Sequence, residues 1–282
     1  MNGQSQVNLL SRLRYGIDSY SPKLKAVADF IVSNADKTQY LTITELARHT
    51  ITSEATVIRL CRDLGFKGYS DFRMALAIEI SQQQTTNINN EPNKDADRID
   101  DATNMAITSL QDTSNLIDRK QIDRICKLIH EADNIHCVGV GASSIVGHYL
   151  SFRLTRIGKY STMFEDTHMA AMRAIKSKPN DLWFAISSSG STKDVVYVAT
   201  KAKSQKSPVV SLTNIRHSPL SVTSDEILVA ARPEGPLSGG AFASKVSALL
   251  LVDILINQLV AEHDKYAESV KVTAEVTMAF MV

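Results

Sequence analysis

Leu182-Trp183-Phe184-Ala185-Ile186 runs straight into Ser187-Ser188-Ser189-Gly190-Ser191-Thr192. A short apolar run bounded by turn residues reads as a buried strand, so the hydroxyls and the glycine fall where that strand ends. Such a turn has the means to hold a phosphate ester. Hydroxyls at Ser187, Ser189 and Thr192 and the nearby backbone N–H groups can donate to phosphate oxygens, and a helix that follows adds its positive end. Gly190 is expected to let the backbone approach the ligand. By itself the stretch is equally readable as a serine-rich surface loop, because Ser and Gly are ordinary loop residues.

A second stretch bears on that choice. Ile135 to Val140 is another short apolar segment, leading through Gly139-Val140-Gly141-Ala142-Ser143-Ser144 into a helical pattern of Val146, Tyr149, Leu150 and Leu154. Strand, hydroxyl-rich turn and helix thus follow in order twice. In an open parallel sheet, ligands sit at the carboxyl ends of the strands, where two such turns can converge. The Ser-x-Ser-Gly-x-Thr string in this context resembles the phosphosugar motif of the sugar isomerase (SIS) domain family. The resemblance implies Ser143, Ser187, Ser189 and Thr192 as phosphate ligands, and Ser144, next in the same turn, joins the candidate set.

Composition sets the frame. The 282 residues are 44% hydrophobic, enough for one large or two smaller cores, and the formal net charge of +1 marks neither a globally basic nucleic-acid binder nor an acidic tail. Cys61, Cys126 and Cys137 are scattered among apolar neighbours, with no CxxC or His-Cys cluster, so buried reduced thiols in a cytoplasmic protein are expected, with no metal and no cofactor. Met1 to Gln6 lacks the basic-then-apolar pattern of a secretory signal. The most apolar run, Ala248 to Ile256, is interrupted by Asp253 and too short to span a bilayer, so no membrane partner is expected.

Gln82 to Asn93 has almost nothing apolar to bury and ends near Pro92, so it reads as an exposed linker. The expected organisation is a helical domain over 1–80, a linker over 81–101, and an α/β domain over 102–282. Upstream, Leu24, Val27, Ala28 and Ile31 share one helix face opened by Ser21-Pro22. Downstream, helices near Ala102 to Leu116 and Gln121 to His130 precede strands at Ile135–Val140, Ser161–Phe164, Leu182–Ile186, Pro208–Leu212 and Glu226–Ala230. This alternation predicts a parallel sheet flanked by helices.

The amino-terminal part carries its own constellation. Thr44 to His49 reads as a short capped helix and Ser53 to Leu64 as another ending at Gly65, separated by a tight turn. Ala47, Val57, Leu60, Cys61 and Leu64 can pack inward while Glu54, Thr56, Arg59 and Arg62 stay outside. Such a pair is a helix-turn-helix, whose second helix enters the DNA major groove, or else an ordinary helical hairpin. Ser53 would cap that second helix and could reach a phosphate. Local charge is mild support: residues 1–80 hold ten Lys or Arg against eight Asp or Glu, a difference of +2.

The string Ser53-Glu54-Ala55-Thr56-Val57, Arg59, Cys61, Leu64-Gly65-Phe66-Lys67-Gly68-Tyr69 and Phe72 resembles the recognition helix and following turn of the RpiR family of bacterial regulators. That family joins this type of domain to a carboxy-terminal SIS domain, the order found here. The fold class implied is an all-α helix-turn-helix domain followed by a flavodoxin-like α/β SIS domain. The DNA-binding residues implied are Ser53, Glu54, Thr56, Arg59, Arg62 and Lys67. The chain departs from the family at Ile51-Thr52, where glycine and an aliphatic residue are usual. Ile51 cannot adopt a positive φ cheaply, so a differently shaped turn is expected. Leu60 stands where phenylalanine is frequent, a change that repacking accommodates.

An aldose–ketose isomerase needs a general base beside the carbonyl, and Glu165, Asp166, His168 and His148 are the nearby candidates. His168 follows the strand at Ser161–Phe164 and reads as a ligand contact. Lys245, at the start of the apolar helix Val246–Leu259, reads equally as a ligand contact or an ordinary helix-terminus lysine. The family resemblance implies a sensor without turnover. The expectation is a cytoplasmic regulator of sugar catabolism genes, acting as a repressor on operator DNA. Its effector would be a phosphorylated sugar, and the Glu165–His168 segment resembles family members that serve amino-sugar catabolism. A homodimer or higher homo-oligomer is implied by paired half-sites and by the apolar face of Val246–Leu259. A sugar-phosphate isomerase with an accessory helical domain, and a sensor that binds a protein partner, are the alternatives.

Overall fold

Apolar residues spaced three and four apart put Leu24, Val27, Ala28 and Ile31 on one buried helix face, as the sequence pattern requires. The computed structural model describes residues 9–17, 20–88, 98–231, 236, 237 and 240–280. The chain divides into two compact units, the second opening at Arg98.

The first unit is helical: α1 Leu9–Gly16, α2 Pro22–Ser33, α3 Ala35–Thr38, α4 Ile43–His49, α5 Glu54–Asp63 and α6 Tyr69–Ile88. Leu13, Val27, Ile31, Leu46, Val57, Leu60, Phe72 and Leu76 form its core. A capping box starts α4, with Thr42 Oγ1 accepting from Glu45 N–H and Glu45 accepting from Thr42 N–H. Ser53 Oγ caps α5 by accepting from Thr56 N–H.

Both helices end in the same way. After α4, Ile51 N–H donates to Arg48 O at 3.2 Å and Thr52 N–H to Ala47 O at 2.8 Å. After α5, Gly65 N–H donates to Arg62 O at 2.9 Å and Phe66 N–H to Cys61 O at 2.9 Å. This paired ending is a Schellman motif, which demands a left-handed residue. Gly65 supplies it at φ 91° without strain, and Ile51 supplies it at φ 52°. The turn therefore keeps its glycine-type geometry despite isoleucine, contrary to the expectation from sequence. The hydrogen bonds of the helix end and the buried Leu46 and Val57 impose it, against a left-handed cost of about 1–2 kcal/mol.

The expected linker is helical at both margins, because α6 continues to Ile88 and the next helix begins at Arg98. Gln and Thr tolerate a helix well enough to extend one already packed, and Pro92 lies beyond its end. Residues 89–97 lie outside the described residues.

The second unit alternates helix and strand: α7 Arg98–Leu116, α8 Arg119–Glu131, β1 Asn134–Val138, α9 Ala142–Arg156, β2 Ser161–Phe164, α10 Thr167–Ala174, β3 Asp181–Ile186, α11 Lys193–Ser204, β4 Val209–Thr213, α12 Pro219–Thr223, β5 Glu226–Val229, α13 Phe242–Glu262 and α14 Asp264–Met278. The five strands form a parallel sheet in the order β2-β1-β3-β4-β5. β3 is buried along its whole length. Its alternate residues Leu182, Phe184 and Ile186 pack with α8, α9 and α13 on one face. Trp183 and Ala185 pack with α10, α11 and α12 on the other. β1 ends at Val138, two residues earlier than expected from sequence, which leaves Gly139 to Gly141 as the turn into α9.

At 21 residues α13 is longer than the apolar run in the sequence, and long and apolar enough by composition to cross a membrane. Burial inside its own unit accounts for that apolarity. Leu251, Val252, Leu255, Ile256 and Leu259 lie in the main core, so most of the face expected to pair subunits is already covered. Burial also pushes the thiols of Cys61, Cys126 and Cys137 up to about 12, as inert core groups.

At the amino end of β1 and β3, His136 lies against Trp183 and Phe164, and its Nε2 accepts from Arg173 Nε at 3.1 Å. Burial, and next the Arg173 charge, lower its pKa to about 4. Asp181 is held below its usual range: burial would raise it, but bonds from Lys178 N–H and Asn134 and the Arg173 charge outweigh that. A histidine depressed from 6.5 to about 4 binds its proton more readily unfolded, so folding stability falls as pH drops through that window, by at most about 1.4 kcal/mol per pH unit. His130, also lowered, contributes in the same sense. Urea unfolding of the wild type and His136→Gln at pH 7 and pH 5 checks this. Glutamine keeps an acceptor for Arg173 and should lose less stability on acidification; an equal loss would discard the assignment.

Candidate functional site

The sheet order places β1 and β3 side by side with their following helices on opposite faces, so the turns after them flank the crevice where the strand order reverses. Val138 pairs with Ala185, which sets the turn after Val138 beside the turn after Ile186. In the β3 turn, Ser187 Oγ lies 2.9 Å from Thr192 Oγ1 and 3.5 Å from Ser189 Oγ. The three hydroxyls named from sequence therefore meet. Thr192 is the N-cap of α11, yet its side chain faces Ser187 rather than capping the helix. Hydroxyls and the N-terminal amides of α11 gather here, and such donors suit an anion.

The β1 turn contributes Ser143, buried in the first turn of α9, and Ser144, which is half-buried and donates to Gly141 O at 2.8 Å. Lys245 is 7% exposed, and its ammonium donates to Ser188 Oγ at 2.5 Å. A cation is thereby fixed on the hydroxyl loop from α13. Gly190 has another reason than ligand approach. Its φ is 60°, and a Cβ there would fall 2.2 Å from Ser218 Oγ, so glycine is needed for the loop to close against the turn before α12.

His168 sits exposed in the first turn of α10, at the same end of the sheet but one strand further out. Its backbone N–H donates to the capping Asp166 at 2.8 Å, and no hydrogen bond among the described residues joins its ring to the two turns. Glu165 meets His148 Nε2 at 2.5 Å, an exposed acid–base pair on the outer edge. Sequence reasoning passed over Ser188 and Asn214. Ser188 was one more serine in a run, and Asn214 carried no motif. Asn214 binds Ala230 O, Ala231 O and Ser244 Oγ, tying the end of β4 to the start of α13. Among the described residues no His, Cys, Asp and Glu cluster could hold a metal ion.

In the first unit, Ala47, Val57, Leu60, Cys61 and Leu64 are buried, as their spacing demands. Ser53, Glu54, Ala55, Arg59, Arg62 and Lys67 are exposed and Thr56 is half-buried. Thr44 Oγ1 donates to Glu54 Oε1 at 2.6 Å, which steadies the first turn of α5 against α4. Ser53 Oγ lies 2.9 Å from Thr56 Oγ1. Lys67 N–H donates to Asp71 at 3.0 Å, closing the turn into α6. The outward surface of α5 thus offers hydroxyls at its start and arginines further along.

Residues 7–83 match the family model for the helix-turn-helix domain of the rpiR family, and residues 128–258 match that for the SIS domain. An uncharacterized HTH-type transcriptional regulator of Bacillus subtilis, YbbH, is 32% identical over 245 residues, covering 86% of this chain and 87% of the relative. The structure of the Vibrio vulnificus NanR protein complexed with ManNAc-6P is similar at a TM-score of 0.89 and 58% identity, covering 98% of this chain and 100% of that one. The sugar isomerase domain of an RpiR transcription factor from Sphaerobacter thermophilus gives a TM-score of 0.57 over 63% of this chain and 98% of its own, and at 23% identity that likeness concerns the fold alone. A helix-turn-helix unit followed by a parallel sheet with hydroxyl turns at its switch point, together with these matches, places the chain in the rpiR family of transcriptional regulators with a carboxy-terminal SIS domain.

Proposed function

We propose that this protein is a cytoplasmic repressor of sugar catabolism genes that binds operator DNA through α5 and a phosphosugar through the turns after β1 and β3. The observation that carries the ligand half is the meeting of Ser187, Ser189 and Thr192 with Lys245 anchored on Ser188. Ser143 and Ser144 complete the phosphate ligands from the β1 turn. His168 and Lys245 are the candidates for the sugar end. The 58% identical NanR, a complex with ManNAc-6P, supports an N-acetylhexosamine 6-phosphate as the effector. The chain acts as a sensor rather than an enzyme, in keeping with relatives named as transcriptional regulators.

DNA is met by Ser53, Glu54, Thr56, Arg59, Arg62 and Lys67. A homodimer, alone or within a higher oligomer, presents two such helices to paired half-sites. Exposed Ile145 and Phe152 on α9 and Val272 and Val276 on α14 offer apolar surface for its association. The effector changes DNA affinity by favouring one arrangement of the paired domains. The expected linker over 81–101 and α7 are the elements that transmit that effect in this reading.

Retention of DNA fragments from the protein's own gene neighbourhood, with and without a panel of hexose and N-acetylhexosamine 6-phosphates, tests this reading. One compound should release a specifically retained fragment. The His148–Glu165 pair favours the second reading, an isomerase, and consumption of a panel compound without specific retention would establish it instead.

Ser187→Ala should weaken the effector about 10- to 100-fold, the worth of a hydrogen bond to a charged group, and leave DNA affinity intact. Titration calorimetry beside a DNA-binding assay reads both, and loss of DNA binding would argue against separate roles. Arg59→Ala should do the reverse. Operator affinity should drop at least about fivefold with a shallower salt dependence, while phosphosugar affinity and the unfolding midpoint stay put. Retained operator affinity would remove Arg59 from the interface.

A further inference from the structure

We infer that Ile51 contacts DNA directly, seating against a thymine 5-methyl group beside the recognition helix, and that this contact is why an isoleucine occupies a left-handed turn. The inference rests on the DNA-binding reading above and goes beyond it to a residue absent from that reading's DNA-contact set.

The physical problem is specific. Ile51 stands at the left-handed position of a Schellman ending, with φ 52°, where its β-branched side chain is strained. Fourteen residues later, the next helix meets the same demand with Gly65. Packing inside the unit does not offset the strain at Ile51, since the side chain is 93% exposed and the interior is filled by Leu46, Val57 and Leu60. The fold imposes the left-handed backbone but gains no packing from this exposed side chain, and a strained residue with no use inside the fold points to one outside it.

Position says what that use is. Ile51 stands in the turn three residues ahead of the start of α5 at Glu54, and it is exposed, as are Ala55, Arg59 and Arg62 at steps of four and three along that helix. They run from the turn onto the outward side of α5, with the apolar pair at the start and the cations following. The arginines suit a polyanion, so the surface beside Ile51 meets nucleic acid rather than an apolar protein face. In the major groove the apolar group on offer is the thymine methyl, which apolar side chains contact. The first turn of a recognition helix is also the part that reaches base edges.

The test uses the full-length protein and a duplex selected by it from a random-sequence pool. Each thymine is replaced in turn by deoxyuridine, which removes the methyl alone, and binding is compared for the wild type and Ile51→Gly. One replacement should weaken the wild type about fourfold, the worth of one buried methyl-sized group, and leave Ile51→Gly unchanged. Ile51→Gly should bind the unmodified duplex at least as weakly as the wild type binds the uracil duplex, and its unfolding midpoint should not fall. Uniform binding by the wild type at every position, or equal losses in both proteins, overturns the inference while leaving DNA binding in place. A lowered midpoint, or an altered oligomeric state with uracil-insensitive binding, overturns it by assigning Ile51 to the fold or to a protein contact. If no duplex is retained at all, the DNA-binding reading falls and the inference with it.

Discussion

A parallel sheet covered on both faces leaves its strand ends as the place where polar groups can meet a ligand, and the rest of the second unit follows from that constraint. β3 is buried from end to end, so its side chains serve the core, and the run of hydroxyls begins only at Ser187. The order β2-β1-β3 then sets the turns after β1 and β3 side by side. In the turn after β3, Ser187 and Thr192 share a hydrogen bond and Ser189 Oγ lies 3.5 Å from Ser187 Oγ. Lys245 comes from a helix far along the chain and fixes a charge on that same loop.

Much of this was legible in the chain because the signals are local. Apolar runs of four to six residues marked all five strands to within two residues at either end, since a buried parallel strand needs an unbroken apolar segment. Helix faces such as Leu24, Val27, Ala28 and Ile31 were equally readable. What escaped was long-range or conformational. The Lys245–Ser188 contact spans 57 positions, and nothing in either neighbourhood announces it. The need for Gly190 was legible as a turn, but its cause, the approach of Ser218, belongs to the tertiary structure.

The margins between the units show why composition misleads. Gln82 to Ile88 looks like a linker by polarity, yet α6 carries through it. A helix already nucleated and packed extends at the small cost of each polar residue's propensity, so polarity alone does not mark the absence of structure. The opposite error is avoided at α13, whose length and apolarity describe a core helix once its neighbours α7, α8 and α9 are in place.

α13 also gives the proposed effector a physical route through its unit. Lys245 holds the hydroxyl loop, and two residues on, Ser247 meets Ser109 of α7 in a seam where both hydroxyls are buried. Ser109 Oγ also donates to Ala243 O at 2.7 Å, and Thr113 Oγ1, one turn along α7, accepts from Ala231 N–H at 2.9 Å. Buried hydroxyls of this kind are satisfied only in particular registers, so α7 and α13 do not slide past each other by small increments. Under the proposed function, a phosphate that drew Lys245 away from Ser188 would bear on this α7–α13 seam, and by linkage any coupling it set up would be reciprocal.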